Sequence, residues 1–76
     1  MTTRLSELKA GQKAIIKEFE NQEIHLKLME MGCLPGEQII VEQKALRGDP
    51  VSITISGYTL SLRRSEADYI IVNTID

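Results

Sequence analysis

Leu28-Met29-Glu30-Met31-Gly32-Cys33-Leu34-Pro35-Gly36-Glu37 decides how this chain folds. An apolar, Met-rich segment at helical spacing runs into a glycine, and Leu-Pro-Gly follows at once. Gly32 suits the left-handed position just past a helix end, where a Cβ would be strained. With Met31 as the last helical residue, Cys33 falls where a Schellman cap makes its apolar contact, back onto Leu28. Pro35 presets φ at the second position of a turn, and Gly36 supplies the positive φ of the third position of a type II turn. A helix is stopped here and the chain is re-aimed into a strand.

Upstream, Leu5-Ser6-Glu7-Leu8 makes one apolar helical turn that plugs the end of a core, and Lys9-Ala10-Gly11 is a turn. Residues 12–19 are expected as a first strand with Ala14 and Ile16 inward and Ile15 outward. The helix is expected over 21–31, with Asn21 as N-cap, Glu23 in the first turn, and Ile24, Leu28 and Met31 as its core stripe. Leu26 and Met29 lie off that stripe.

Downstream, residues 37–43 are expected as a second strand, with Ile39 and Val41 inward and Ile40 outward. Residues 44–50 form a loop marked by Gly48 and Pro50. Val51-Ser-Ile-Thr-Ile55 and Tyr58-Thr-Leu-Ser-Leu62 both alternate with period two. Ser56-Gly57 separates them by the length of a tight hairpin loop, so Ile55 and Tyr58 share a face and both apolar sets point into one core. Ser65-Glu66-Ala67-Asp68 starts a short helical turn with a capping-box pattern. Residues 70–74 are a last strand with Ile70 and Val72 in the core. The fold class is mainly β with one inserted helix. Five short strands in so small a domain call for a closed or nearly closed barrel, which removes exposed edges.

The 76 residues are expected to form a single domain, 1–76, with net charge −2 and pI about 5.3. A deficit of basic residues argues against nucleic acid, since that affinity rests on clustered Lys and Arg. Three aromatics, Phe19, Tyr58 and Tyr69, make no base-stacking platform. No apolar run approaches the ~20 residues that span a bilayer. The first residues lack the apolar core of a secretory signal, and one cysteine forms no internal disulfide. The expected compartment is the cytoplasm.

Few residues carry chemistry. His25 and Cys33 would lie ~12 Å apart along a helix axis, too far for a dyad. His25 is therefore expected as a helix surface residue and Cys33 as a small apolar cap. Paired Cys-x2-Cys spacings are missing, so a metal set of His25, Glu30 and Cys33 is only the alternative reading. No phosphate-binding glycine loop occurs, and the residues call for no cofactor. Apolar residues left over from the core are Ile15, Leu26, Met29, Ile40 and Leu46. Methionine suits adaptable binding surfaces, and a contiguous exposed patch marks a partner site.

These motifs resemble a known family. Leu28-Met29-Glu30-Met31-Gly32-Cys33-Leu34-Pro35-Gly36, then Gly48-Asp49-Pro50, then Ile55-Ser56-Gly57-Tyr58 with Leu60, Leu62 and Arg63, then Glu66-Ala67, follow the order seen in ferrous iron transport protein A (FeoA). The opening Leu5-Ser6-Glu7-Leu8-Lys9-Ala10-Gly11 is similar too, with Ala10 where proline is common. The resemblance implies an SH3-like small β-barrel and a cytoplasmic, non-enzymatic accessory of bacterial ferrous iron uptake. It implies as partner the membrane transporter FeoB, with its cytoplasmic G-protein domain. The same domain forms part of iron-dependent repressors, but the chain has no room for a DNA-binding helix-turn-helix. The partner-facing set expected is Leu26, Met29, Leu34, Leu46, Arg47 and Tyr58. Two alternatives stand beside it: a ferrous iron carrier or sensor, and a stimulator of the transporter's GTPase through Arg47 or Arg63. Ile15 and Ile40 leave room for weak self-association.

Overall fold

Six strands, one more than expected, build a single antiparallel sheet in the computed structural model, which describes residues 1–75; Asp76 and the side chain of Leu46 lie outside the described residues. The strands are β1 (Thr2–Arg4), β2 (Lys13–Phe19), β3 (Gln38–Lys44), β4 (Val51–Ile55), β5 (Tyr58–Leu62) and β6 (Ile70–Ile75). Their order is β1-β6-β2-β3-β4-β5. Helix α1 (Gln22–Glu30) joins β2 to β3, and a single turn, α2 (Arg64–Ala67), joins β5 to β6. Short 3-10 turns occupy Leu5–Glu7 and Leu46–Gly48. The extents of 27 × 24 × 23 Å are nearly equal, so the sheet is curled on itself and not flat.

Two β-bulges bend β2 and β3 and reset the faces of the residues beyond them. The register of β2 on β6 slips between Ile16 and Glu18, and that of β3 on β4 slips between Val41 and Gln43. A bulge adds one residue to one strand, bends it and shifts the face of everything beyond it. Ala14 and Ile16 therefore point inward on one side of the first bulge and Phe19 on the other, opposite Ile70. In β3, Ile39 and Val41 are buried, and beyond the bulge Lys44 takes the inner position opposite Val51. The Lys44 ammonium then donates to the Ser6 carbonyl (2.9 Å) and the Leu8 carbonyl (3.0 Å). An inward lysine is tolerable because its stem packs while its head meets carbonyl oxygens at the barrel end.

The core comprises Leu5, Leu8, Ala14, Ile16, Leu28, Cys33, Ile39, Val41, Val51, Ile53, Ile55, Leu62, Ala67, Ile70 and Val72. Inward and outward assignments for β2, β3 and β4 match the sequence reading, and Ile24 and Met31 flank Leu28 at the core margin. Full burial of one such side chain contributes about 1.5–3 kcal/mol. The hairpin loop is tight, with positive φ at both Ser56 (50°) and Gly57 (83°), the type I′ geometry that matches strand twist.

Two details depart from expectation. The first turn of α2 begins two residues earlier than the Ser65 cap predicted: Arg63 is the N-cap, and its N–H donates to Glu66 Oε1 at 2.9 Å. Tyr58 shares the inner face with Ile55, as expected, yet remains 39% exposed. It lies at the end of an edge strand, where the core has run out.

Candidate docking surface

The end of α1 is built as the sequence indicates. Asn21 Oδ1 accepts from the N–H groups of Glu23 (2.9 Å) and Ile24 (3.2 Å), which satisfies two of the unpaired donors of the first turn. At the other end, Cys33 N–H donates to Leu28 O (2.8 Å) and Gly32 N–H to Met29 O (3.0 Å). That pair of bonds is a Schellman motif, and Gly32 takes the required φ of 83°. Cys33 and Leu28 are both buried, so the apolar contact of the motif is in place. Glu37 N–H then donates to Leu34 O (3.1 Å), closing the turn through Pro35 and Gly36. Gly36 N–H reaches Ile16 O (2.8 Å), and Ile16 N–H reaches Glu37 O (2.9 Å), which ties the turn to β2.

The β4–β5 hairpin folds over this turn. Ser56 Oγ lies 3.4 Å from Glu37 Oε2, and a Cβ added to Gly32 would sit 3.1 Å from the Tyr58 hydroxyl oxygen. The glycine thus serves twice, as the left-handed cap and as the space beneath the tyrosine. On α1, the turn and the hairpin four large apolar side chains remain exposed: Leu26 at 58%, Met29 at 45%, Leu34 at 42% and Tyr58 at 39%. Leu26 and Met29 are three residues apart, so they are neighbours on the helix surface, off the face that buries Leu28. Of the expected partner-facing set, Arg47 is exposed on its loop, and the side chain of Leu46 lies outside the described residues.

The metal alternative finds its three residues in different settings. Cys33 is 1% exposed, and burial together with the field of Glu37 pushes its thiol above the usual range. His25 stacks on Phe19, with ring centroids 5.0 Å apart and planes 18° from parallel, while Glu30 faces solvent. Among the described residues, no three His, Cys, Asp or Glu side chains gather to hold a metal ion. The partner of His25 was not foreseen, because the β2 bulge is what turns Phe19 toward the helix.

Sequence reasoning also passed over Tyr69 (42% exposed) and Ile75, exposed apolar side chains away from the helix end. Strict alternation from the buried Ile70 would have placed Tyr69 outward. On the far side of α1, Lys27 pairs with Glu66, which also caps α2. The lysine bond, with smaller help from Arg63, holds the Glu66 carboxyl below its usual range against the opposing effect of burial. No helix among the described residues is long and apolar enough to cross a membrane.

Comparison with known proteins converges on one family. The model of the FeoA domain matches residues 3–74. A Fe(2+) transport protein A/Fe(2+) transporter FeoB fusion protein from Porphyromonas gingivalis is 42% identical over 73 residues, covering 95% of this chain and 9% of that relative. The chain therefore spans a small fraction of that much longer protein. The solution structure of a FeoA-like protein from Clostridium acetobutylicum superposes with TM-score 0.91 at 34% identity, over 99% of this chain and 88% of the other. The crystal structure of Stenotrophomonas maltophilia FeoA complexed with zinc, described as a prokaryotic SH3 domain protein, gives TM-score 0.81 at 28% identity, over 93% and 89% of the two chains. The curled sheet with one inserted helix is thus an SH3-like fold, and the chain belongs to the FeoA domain family.

Proposed function

We propose that this chain is a non-enzymatic docking module of ferrous iron uptake that binds a FeoB-type transporter on its cytoplasmic side. The observation that carries the reading is the fusion: a domain 42% identical to this chain occurs within one polypeptide with FeoB. Covalent linkage raises the effective concentration of one module at the other, which benefits modules that act in contact. The surface offered for that contact is the end of α1 with the turn and hairpin that follow it, where Leu26, Met29, Leu34 and Tyr58 are each exposed. Clustered apolar side chains with aromatic and methionine members are what partner sites are made of. A polar neighbour needed for solubility comes from Glu30, exposed on the same helix.

Co-purification with the FeoB-type transporter of the same cell tests the reading. Wild-type chain is expected to retain the transporter, and Met29→Glu is expected to lose it while keeping the native circular dichroism spectrum and melting temperature. Met29 is exposed, so charge there leaves the core untouched. Unchanged retention by folded Met29→Glu would remove the corner from the contact. Failure of the wild type to retain the transporter at all would remove the partner.

A further inference from the structure

A second surface lies at the end of the barrel away from the hairpin tip, and it is charged instead of apolar. A cleft of about 550 Å³ is lined by Lys27, Asp49, Pro50, Ser61, Arg63 and Glu66. Its two carboxylates are already engaged. Asp49 Oδ1 accepts the N–H of Arg64 (3.0 Å), and Glu66 accepts the N–H of Arg63 and pairs with Lys27. The Arg63 charge adds to the field on Glu66, but among the described residues its guanidinium makes no ion pair and no side-chain hydrogen bond. Arg64, bonded through its backbone to Asp49, and Arg47, two residues before Asp49 on the same loop, likewise have exposed, unpaired guanidinium groups. The cleft lining itself sets two cations, Lys27 and Arg63, against two occupied carboxylates, and Arg47 and Arg64 flank lining residues in the sequence of a chain whose net charge is −2.

The cleft continues into a smaller depression of about 300 Å³ that shares Pro50 and Ser61 with it. There Gln43, Ser52 and Ser61 are register partners across β3, β4 and β5, so a polar row crosses the outer face of three strands and runs into the cleft. The Ser52 and Ser61 hydroxyls have no protein partner among the described residues.

We infer that this cleft is a second contact for the transporter, taking an acidic segment of it: a carboxylate side chain seats against Arg63 and Ser61, and the polar row receives the neighbouring amides. The inference rests on the proposed function for the identity of the partner. The chemistry comes from the cleft itself. A planar guanidinium with its fork free matches a carboxylate bidentately, and such charge-assisted pairs are the strong ones. Arg47 and Arg64 extend the positive field beyond the cleft mouth and steer an acidic partner toward it.

The test is association with the solubilised FeoB-type transporter, followed by surface plasmon resonance between 50 and 500 mM NaCl. Wild-type affinity is expected to fall with salt. Arg63→Glu is expected to weaken binding about tenfold or more, the scale of one lost charge-assisted contact. Arg47→Glu/Arg64→Glu is expected to slow association more than it speeds dissociation. Arg63→Gln serves as the second variant should the charge reversal fail to fold, and is expected to weaken binding in the same direction. Arg63 variants binding within twofold of wild type, or affinity that is flat with salt, would overturn the inference and leave the apolar corner standing. Stronger binding of an oligonucleotide than of a Glu-rich peptide would also overturn it, as the cleft would then be a general polyanion site. Absence of wild-type association at every salt concentration would instead bring down the proposed partner, and this contact with it.

Discussion

Replacing Gly32 by alanine tests the double role assigned to that residue. Its φ of 83° lies in the left-handed region, which costs an L-residue with a Cβ roughly 1–2 kcal/mol. The added Cβ would also sit 3.1 Å from the Tyr58 hydroxyl oxygen, tight enough that the ring must give by a few tenths of an ångström. Gly36 is the internal control. Its φ is 94°, and nothing lies within 4 Å of a Cβ placed there. Gly36→Ala therefore reports backbone strain alone, and Gly32→Ala reports strain plus the tyrosine contact. A folded chain of this size is stable by about 4–11 kcal/mol, so a loss of 1–2 kcal/mol is a large share of the whole. For a domain of 60–100 residues that loss lowers Tm by roughly 4–8 °C per kcal/mol. Urea unfolding of Gly32→Ala, Gly36→Ala, Tyr58→Phe and the Gly32→Ala/Tyr58→Phe double variant completes the measurement. Removing the hydroxyl should recover part of the Gly32→Ala loss, since the two sites are in contact and their effects do not add. Gly32→Ala costing no more than about 0.3 kcal/mol would refute the left-handed cap, because that is within the scatter of surface substitutions. Perfect additivity with Tyr58→Phe would refute the contact.

Other outcomes follow from the same fold. Ser56→Asn should raise stability by about 0.5 kcal/mol, seen as a higher urea midpoint, because Asn-Gly is the favoured pair for a type I′ loop. The depressed Glu66 carboxyl binds its proton more weakly in the folded chain than in the unfolded one. Its contribution is therefore complete above the usual value of 4.5 and is lost as pH falls through the lower folded value. Glu66→Gln should lower Tm at pH 7 and flatten the decline of Tm below pH 4.5, whereas parallel acid limbs in the two proteins would count against the pairing with Lys27. Cys33 should react with a disulfide reagent at pH 8 only as fast as the fold opens, because its thiol is buried and pushed up in pKa. Reaction at the rate of a free thiol would place it outside the core.

Legibility in the sequence followed the range of the interaction involved. The β4–β5 hairpin was read to the residue, because alternation, loop length and face are all settled within twelve positions. The Schellman end of α1 was equally legible, since its two bonds join residues at most five apart. β1 was not. Thr2–Arg4 has no apolar alternation, and it is a strand only because β6, about seventy residues away, offers an edge to pair with. The short turn at Arg64 was placed late for a related reason: Ser65 looked like the cap, but Glu66 reaches back to the Arg63 N–H. Neither bulge was predicted, and with them went the inward turn of Lys44 and the stacking of Phe19 on His25.

By itself, the stretch from Leu28 to Glu37 determined where the helix ends, that Gly32 and Gly36 take positive φ, and that Cys33 packs inward. Those outcomes depend on hard-sphere backbone geometry and on bonds between near neighbours, which a local sequence specifies. The sequence also marked Leu26 and Met29 as lying off the core stripe. Only the tertiary structure decided that Tyr58 lies over Gly32 and that Leu34 stays exposed on the turn that follows. It alone gathered Lys27, Asp49, Arg63 and Glu66 around one cleft. Such groupings bring together residues tens of positions apart, and their geometry is set by strand order, by bulges and by the curl of the sheet. No local pattern encodes those, because each exists only once distant strands have paired.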